Sequence, residues 1–269
     1  MRSTSMLTGL PTGQRMIEDD FSTWVPADYL REYYQRLDPD EHHAIRFFVE
    51  AQRDAPPGPA LCFGSGPTLH HVFSTIPHTT ALYLADYLPR NLAEIDRWRR
   101  REPGAHDWRP FVRYTLQCEL ARDPSEAEVT AREELTRARI AGLLRADATL
   151  EHPLGRDFNQ YFATVLSPFC ADSITGDRDA WARYSHNIQS LVKPGGRFLT
   201  SALRHCEKYR VGSRFFPSAN IDEHDLRRVL EQDFLPASVQ VSVAEVPELA
   251  DHGYNAILLG RADKPPRST

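Results

Sequence analysis

The residues best placed to do chemistry are two glycines and an acid. Residues 61–68, LCFGSGPT, carry a short apolar run into Gly64 and Gly66. If the run is a strand and the chain then turns into a helix, backbone without a Cβ at those two positions can lie directly against a ligand. Asp86 closes a second apolar run, 80–86 (TALYLAD). It follows the loop by about 20 residues, where a carboxylate at a strand end accepts hydrogen bonds from both hydroxyls of a ribose. Two glycines alone would equally serve a tight turn. With the acid at this spacing they point to a ribosyl ligand.

The loop also discriminates among such ligands. A dinucleotide fingerprint has a third glycine where helix and pyrophosphate meet, and Leu69 stands there, behind Pro67. A ligand with ribose and adenine but no pyrophosphate tolerates this loop, and S-adenosylmethionine is the commonest such molecule. Asp147, within RADAT (145–149), is a candidate acceptor for the adenine amino group; a plain loop carboxylate or cap is its alternative.

An alternating chain must hold these residues. Tyr29, Leu30, Tyr33, Tyr34 and Leu37, then Ile45, Phe48 and Val49, fall at helical spacing and predict two helices broken near Pro39. Strands are expected at 60–66, 80–86, 111–118, 162–169 and 197–203, and helices at 67–76, 91–101, 125–144 and 181–191. The runs 238–246 and 255–261 suit an antiparallel pair. Strand and helix in alternation give an α/β fold with a mainly parallel sheet covered on both faces.

Composition narrows the function further. Of 269 residues, 32 are Lys or Arg and 37 Asp or Glu, a net charge of −5, so nothing draws in a nucleic-acid backbone. Cys62, Cys118, Cys170 and Cys206 are scattered without a Cys-x-x-Cys pair, which signals neither a zinc cage nor a disulfide framework and fits a reducing cytoplasm. The 11 histidines make no cluster with Asp or Glu at ligand spacing, and no metal is expected. No run reaches the ~18 apolar residues of a membrane span, and the opening residues lack the apolar stretch of a secretory signal.

Five landmarks recur in order: DYLREYY (28–34), GSGPT (64–68), Asp86 and Tyr87 with Asn91, Leu92 and Trp98, then Glu102 and Pro103 with Asp107, Trp108 and Pro110, and KPGG (193–196). With them the chain resembles the nicotinamide, phenylethanolamine and thioether (indolethylamine) N-methyltransferase family, from about residue 26 to 264. The resemblance implies a Rossmann-like S-adenosylmethionine-dependent fold with a seven-stranded, mainly parallel sheet. It implies one domain over 21–264 with an N-terminal helical lid over 21–55, between flexible ends at 1–20 and 265–269. Carried over residue by residue, it puts Tyr29 and Tyr34 in the lid above the cofactor. Gly64 and Ser65, with Gly66, Thr68 and His70 in the same loop, lie toward its methionyl part. Asp86, Tyr87 and Asn91 lie at the ribose, Asp147 and Ala148 at the adenine, and Ser167 at the end of the central strand. The substrate side takes Tyr33, Asp172, Ala202, Tyr209 and Ser218. Three positions depart from the family pattern: Cys62 replaces an acid before the loop, His70 a tyrosine, and Ala202 an acidic anchor.

Methyl transfer from a sulfonium is an in-line displacement, so orientation should dominate, worth roughly 7–11 kcal/mol. Tyr29 and Tyr34 would exclude water and offer aromatic faces to the sulfonium, on the order of 0.5–2 kcal/mol. Asp172 is taken as the acid that orients an acceptor or receives its proton, with capping of the following helix as the alternative. The missing acid at Ala202 argues against a strongly cationic acceptor and favours a neutral aromatic heterocycle. The expected activity is methylation of a small aromatic amine or nitrogen heterocycle, at nitrogen or at an indole carbon, in secondary metabolism, by a monomer that binds no nucleic acid or membrane. The alternatives are NAD-dependent hydride transfer and a module that binds the cofactor without turnover.

Overall fold

Apolar runs bounded by glycine or proline become strands buried on both faces, and the sheet they form sets where a ligand can sit. The structure, a computed structural model, describes residue 21, residues 24–212 and residues 214–267; the expectations for 1–20 and 268–269 lie outside the described residues. Two helices, α1 (Pro26–Tyr33) and α2 (Pro39–Gln52), precede β1 (Gly58–Phe63). Then come β2 (Thr79–Asp86), α3 (Pro89–Arg99), α4 (Arg109–Leu120), α5 (Glu126–Arg139), β3 (Ile140–Arg145) and β4 (Phe162–Pro168). The chain continues through α6 (Arg178–Gln189), β5 (Val192–Leu203), the hairpin β6 (Lys208–Val211) and β7 (Arg214–Pro217), α7 (Glu223–Asp233), β8 (Gln240–Glu245) and β9 (Ala256–Asp263).

Seven strands make one sheet in the order β3-β2-β1-β4-β5-β9-β8. The first five are parallel, and β9 runs antiparallel to both β5 and β8. Alternation along β1 sends Ala60 and Cys62 into the core with α2 to α5, and Leu61 and Phe63 into the core with α6 and α7. Strand order reverses between β1 and β4, so the loops at their carboxyl ends diverge and open a crevice. Among the described residues no helix is long and apolar enough to cross a membrane.

Three local expectations are corrected. Residues 111–118 are helix α4, not a strand: Phe111, Val112, Thr115 and Leu116 are its buried residues, a 3.6-residue repeat rather than alternation. Residues 67–76 form no α-helix. Thr68, Ser74, Thr75 and Thr79 donate their hydroxyls to carbonyls three or four residues back, and the chain closes into short 3-10 turns at His70–Val72 and Ile76–His78. The helix expected over 125–144 begins at a Ser125/Glu128 capping box but ends at Arg139, because 140–145 is taken up as edge strand β3 beside β2.

Candidate functional site

The glycine loop is built by positive φ and by one close approach. Gly64 and Gly66 have φ of +67° and +58°, and a Cβ on Gly64 would stand 2.1 Å from the Cys170 Sγ. Ser65 N–H donates to the Ala85 carbonyl at 3.0 Å, and Gly66 N–H donates to Asp86 Oδ2 at 2.8 Å. Asp86 Oδ1 accepts from Leu88 N–H and from Asn91 Nδ2, at 2.8 and 2.9 Å. Burial raises the Asp86 pKa, and these three hydrogen bonds work against the rise. Asn91 is held in turn by Trp24, whose indole N–H donates to its Oδ1 at 3.0 Å.

A cleft of about 880 Å³, counted to its open mouth, lies over these groups. Its walls bring together Tyr29, Tyr34, Gly64, Ser65, Gly66, Thr68, Asp86, Tyr87, Asn91, Ala148 and Tyr209 from the sequence-based set. They come from the carboxyl ends of three adjacent parallel strands, β1, β2 and β3, from α1 and its C-cap, and from the hairpin strand β6. Asp147 is itself off the wall between Ala146 and Ala148. Its Oδ1 accepts from Thr149, while Oδ2 is buried without a hydrogen-bond partner. The space left at Gly66, where a Cβ would meet only Thr68 Cγ2 at 4.0 Å, and the free Oδ2 of Asp147 both suit an adenosyl ligand.

A second cavity of about 430 Å³ adjoins the cleft and shares Tyr29, Tyr34, Phe169, Ser173 and Tyr209 with it. Tyr33 and Tyr254 complete a tyrosine lining, with Asp40 and Glu41 beside them. The Tyr29 and Tyr34 hydroxyls are 3.1 Å apart, the Tyr33 hydroxyl donates to the Arg210 carbonyl, and that of Tyr209 to the Ser173 carbonyl at 3.2 Å. Asp40 Oδ2 accepts from the Tyr254 hydroxyl at 2.8 Å, and burial pushes the Asp40 carboxyl up to about 7. Sequence reasoning missed Asp40, Glu41 and Tyr254. The acids occupy the first turn of α2, where carboxylates ordinarily just offset the helix dipole, and Tyr254 lies far along the chain.

Several expected site residues lie elsewhere. Asp172 is 2% exposed and its Oδ2 accepts from Leu203 N–H at 2.9 Å and from the Ser173 hydroxyl at 3.2 Å. Its carboxylate therefore ties the turn after β4 to the end of β5. Asp172, Ser167 and Ala202 border a separate cavity of about 310 Å³ under α6, not the cleft. Ser218 is buried off the walls of these cavities. His70 stands behind the cleft, its ring 4.7 Å from that of Tyr34 and stacked 5.5 Å from that of Trp108. No metal was expected, yet Glu41 Oε2 lies 2.7 Å from His70 Nε2 and 3.2 Å from His71 Nε2.

This geometry matches known proteins. A model of the NNMT/PNMT/TEMT family matches residues 14–252. Indolethylamine N-methyltransferase of Oryctolagus cuniculus is 29% identical over 220 residues, 78% of this chain and 82% of that protein. Nicotinamide N-methyltransferase of Homo sapiens is 30% identical over 205 residues, 73% of this chain and 76% of that protein. Among solved structures, a SAM-dependent methyltransferase of Methanosarcina mazei shares the fold at a TM-score of 0.52 and 11% identity, covering 86% of this chain and all of that one. With the glycine loop, the buried Asp86 carboxylate and the crevice at the strand reversal in place, the chain belongs to the NNMT/PNMT/TEMT family and is a SAM-dependent methyltransferase.

Proposed function

We propose that the protein methylates a ring or side-chain nitrogen of a small neutral heteroaromatic compound, in secondary metabolism. The observation that carries this reading is the tyrosine-lined cavity, which shares five wall residues with the cleft. Its walls carry the rings of Tyr29, Tyr33, Tyr34, Tyr209 and Tyr254, and aromatic faces hold flat rings by stacking and edge contacts. The nicotinamide named for one relative is a neutral compound of this class, and the indolethylamine named for another shares the heteroaromatic ring.

When bound, S-adenosylmethionine supplies an electrophilic methyl group on a sulfonium. The chain's own residues would hold it: Gly64 and Ser65 toward the methionyl part, Asp86 and Asn91 at the ribose, Ala148 and Asp147 at the adenine. Tyr29 in α1 and Tyr34 at its C-cap, part of the lid proposed for residues 21–55, separate the two compartments and exclude water from both. The Asp172 carboxylate accepts from Leu203 N–H and borders the cavity under α6 rather than the cleft, which favours another acid for the substrate side. Asp40, on the wall of the smaller cavity, is the acid positioned to accept a hydrogen bond from an acceptor's N–H.

Incubation with methyl-labelled S-adenosylmethionine and a panel of indoles, pyridines and aliphatic amines tests the proposal. Label should enter heteroaromatic products. Transfer confined to aliphatic amines would overturn the assigned class, and binding of S-adenosylhomocysteine with no transfer to any of them would favour a module without turnover.

A further inference from the structure

We propose that Glu41, His70 and His71 form a binding site for one zinc-type divalent cation, pinning the lid to the cofactor loop. Glu41 comes from α2, and the two histidines from the 3-10 turn that replaces a helix after the glycine loop. One ligand atom from each lies within 4.8 Å of the others. All three side chains are buried, at 3%, 1% and 4% exposure.

Two observations separate this trio from an ordinary hydrogen-bonded cluster. First, Glu41 Oε2, His70 Nε2 and His71 Nε2 are buried yet none has a hydrogen-bond partner of acceptable geometry, although they stand 2.7 and 3.2 Å apart across the carboxylate. The three atoms share one small buried volume, within 4.8 Å of one another. Leaving buried polar atoms unmatched costs about 1–3 kcal/mol each, and one cation relieves all three. Second, among the described residues the groups within ion-pair distance of Glu41 are the two imidazoles, with no Lys or Arg. A buried carboxylate is then matched by no fixed positive charge.

The donor set selects the ion. Two imidazoles and one carboxylate suit zinc and its first-row neighbours and disfavour calcium or magnesium, which take oxygen. With metal–ligand bonds of about 2.0–2.1 Å, tetrahedral donors stand roughly 3.3 Å apart. The two carboxylate–imidazole distances, 2.7 and 3.2 Å, would open by about 0.6 and 0.1 Å to reach that spacing. His71 borders the cleft and Glu41 the tyrosine-lined cavity, so the fourth position lies at their junction, within reach of water.

Metal analysis of the chelator-stripped, full-length protein tests the site without recourse to methyl transfer. Stripped protein titrated with Zn²⁺ should take up one equivalent and unfold at higher temperature. Co²⁺ should give the intense visible bands of a four-coordinate N₂O site. His70→Ala, His71→Gln and Glu41→Gln should each weaken uptake by at least the roughly 10- to 100-fold that losing an outer-shell partner costs. Circular dichroism and urea unfolding report whether each variant is folded. The proposal is overturned if the wild-type chain takes up no Zn²⁺ or Co²⁺, if Co²⁺ remains octahedral and pale, or if a folded His70→Ala/His71→Gln variant still takes up a full equivalent.

Discussion

The Gly66 amide donates to Asp86 Oδ2 at 2.8 Å, so the acid proposed for the ribose also fixes the glycine loop proposed for the rest of the cofactor. A carboxylate offers about four lone-pair sites, and Gly66, Leu88 and Asn91 occupy three. One site is left for a ribose hydroxyl, a charge-assisted bond of about 1.5–3 kcal/mol. Asp86→Ala should therefore lower S-adenosylhomocysteine affinity on the order of 10- to 100-fold, and Asp86→Asn by less. Isothermal titration below the variants' unfolding temperatures decides it. Wild-type affinity in a folded Asp86→Ala protein would remove Asp86 from the site.

Gly64→Ala should be among the most damaging single-methyl additions in the chain. Its φ of +67° costs an L-residue roughly 1–2 kcal/mol, and the new Cβ would lie 2.1 Å from Cys170 Sγ and 2.6 Å from Cys170 Cβ, an overpacking cost of about 1–3 kcal/mol. Urea unfolding should show the sum, and cofactor binding should fall with it. Cys170→Gly in the same chain should recover the packing part but not the backbone part. Full recovery would mean that φ at this position is not constrained.

Arg197, within β5, is 3% exposed. It donates to Asp263 Oδ1 at 2.7 Å, to Asp54 Oδ1 at 2.7 Å and to the Ala51 carbonyl at 2.6 Å, joining the end of α2 to the sheet. Both aspartates keep Arg261 as a second partner, and the Asp54 side chain is 66% exposed, so the loss should fall short of the roughly 3–5 kcal/mol for a fully buried pair. Arg197→Met should cost about 2 kcal/mol in urea, with Arg197→Lys recovering less than half because an ammonium cannot serve three acceptors in a fixed fork. A neutral Arg197→Met would show the network to be worth no more than its packing.

What the sequence revealed of the site depended on how local each signal was. Gly64, Gly66 and Asp86 are each tied to a strand end, and the strand-loop pattern around them is continuous in the chain. The β2–α3 register follows from it. Helix α4 was misread because a window of eight residues, FVRYTLQC, contains enough β-branched and aromatic residues to mimic a strand when its buried face is unknown. Asp172 was misplaced for another reason: whether an acid after β4 turns to the cleft or to Leu203 is decided by β5, about 30 residues later. The Glu41, His70 and His71 group was invisible for the same reason, since the packing of α2 against the turn after β1 brings it together. So was the hairpin of β6 and β7, whose Tyr209 alone was anticipated.

Asp172 offers a pH-dependent test of its structural position. Burial raises its carboxyl from 3.8 to about 6, against the opposing hydrogen bond from Leu203. The folded state thus binds this proton more tightly than the unfolded chain, and its contribution is fully present below about pH 4 and lost as pH rises to 6. From there to neutrality the ionised, buried group costs on the order of 2–3 kcal/mol. Asp172→Asn keeps an oxygen for Leu203 N–H and has no charge to bury, so the wild-type fall in stability between pH 4 and 6 should be flattened in the variant, and at pH 7 it should be at least as stable as wild type. Asp172→Ala should instead lose about 1–3 kcal/mol relative to wild type below pH 4, because Leu203 N–H is left unpaired, and the deficit should shrink above pH 6, where the variant has no charge to bury. Urea titrations at a series of pH values separate these outcomes. Turnover of Asp172→Asn should stay within a few-fold of wild type; a large loss of turnover with unchanged stability and cofactor affinity would return the carboxylate to the reaction.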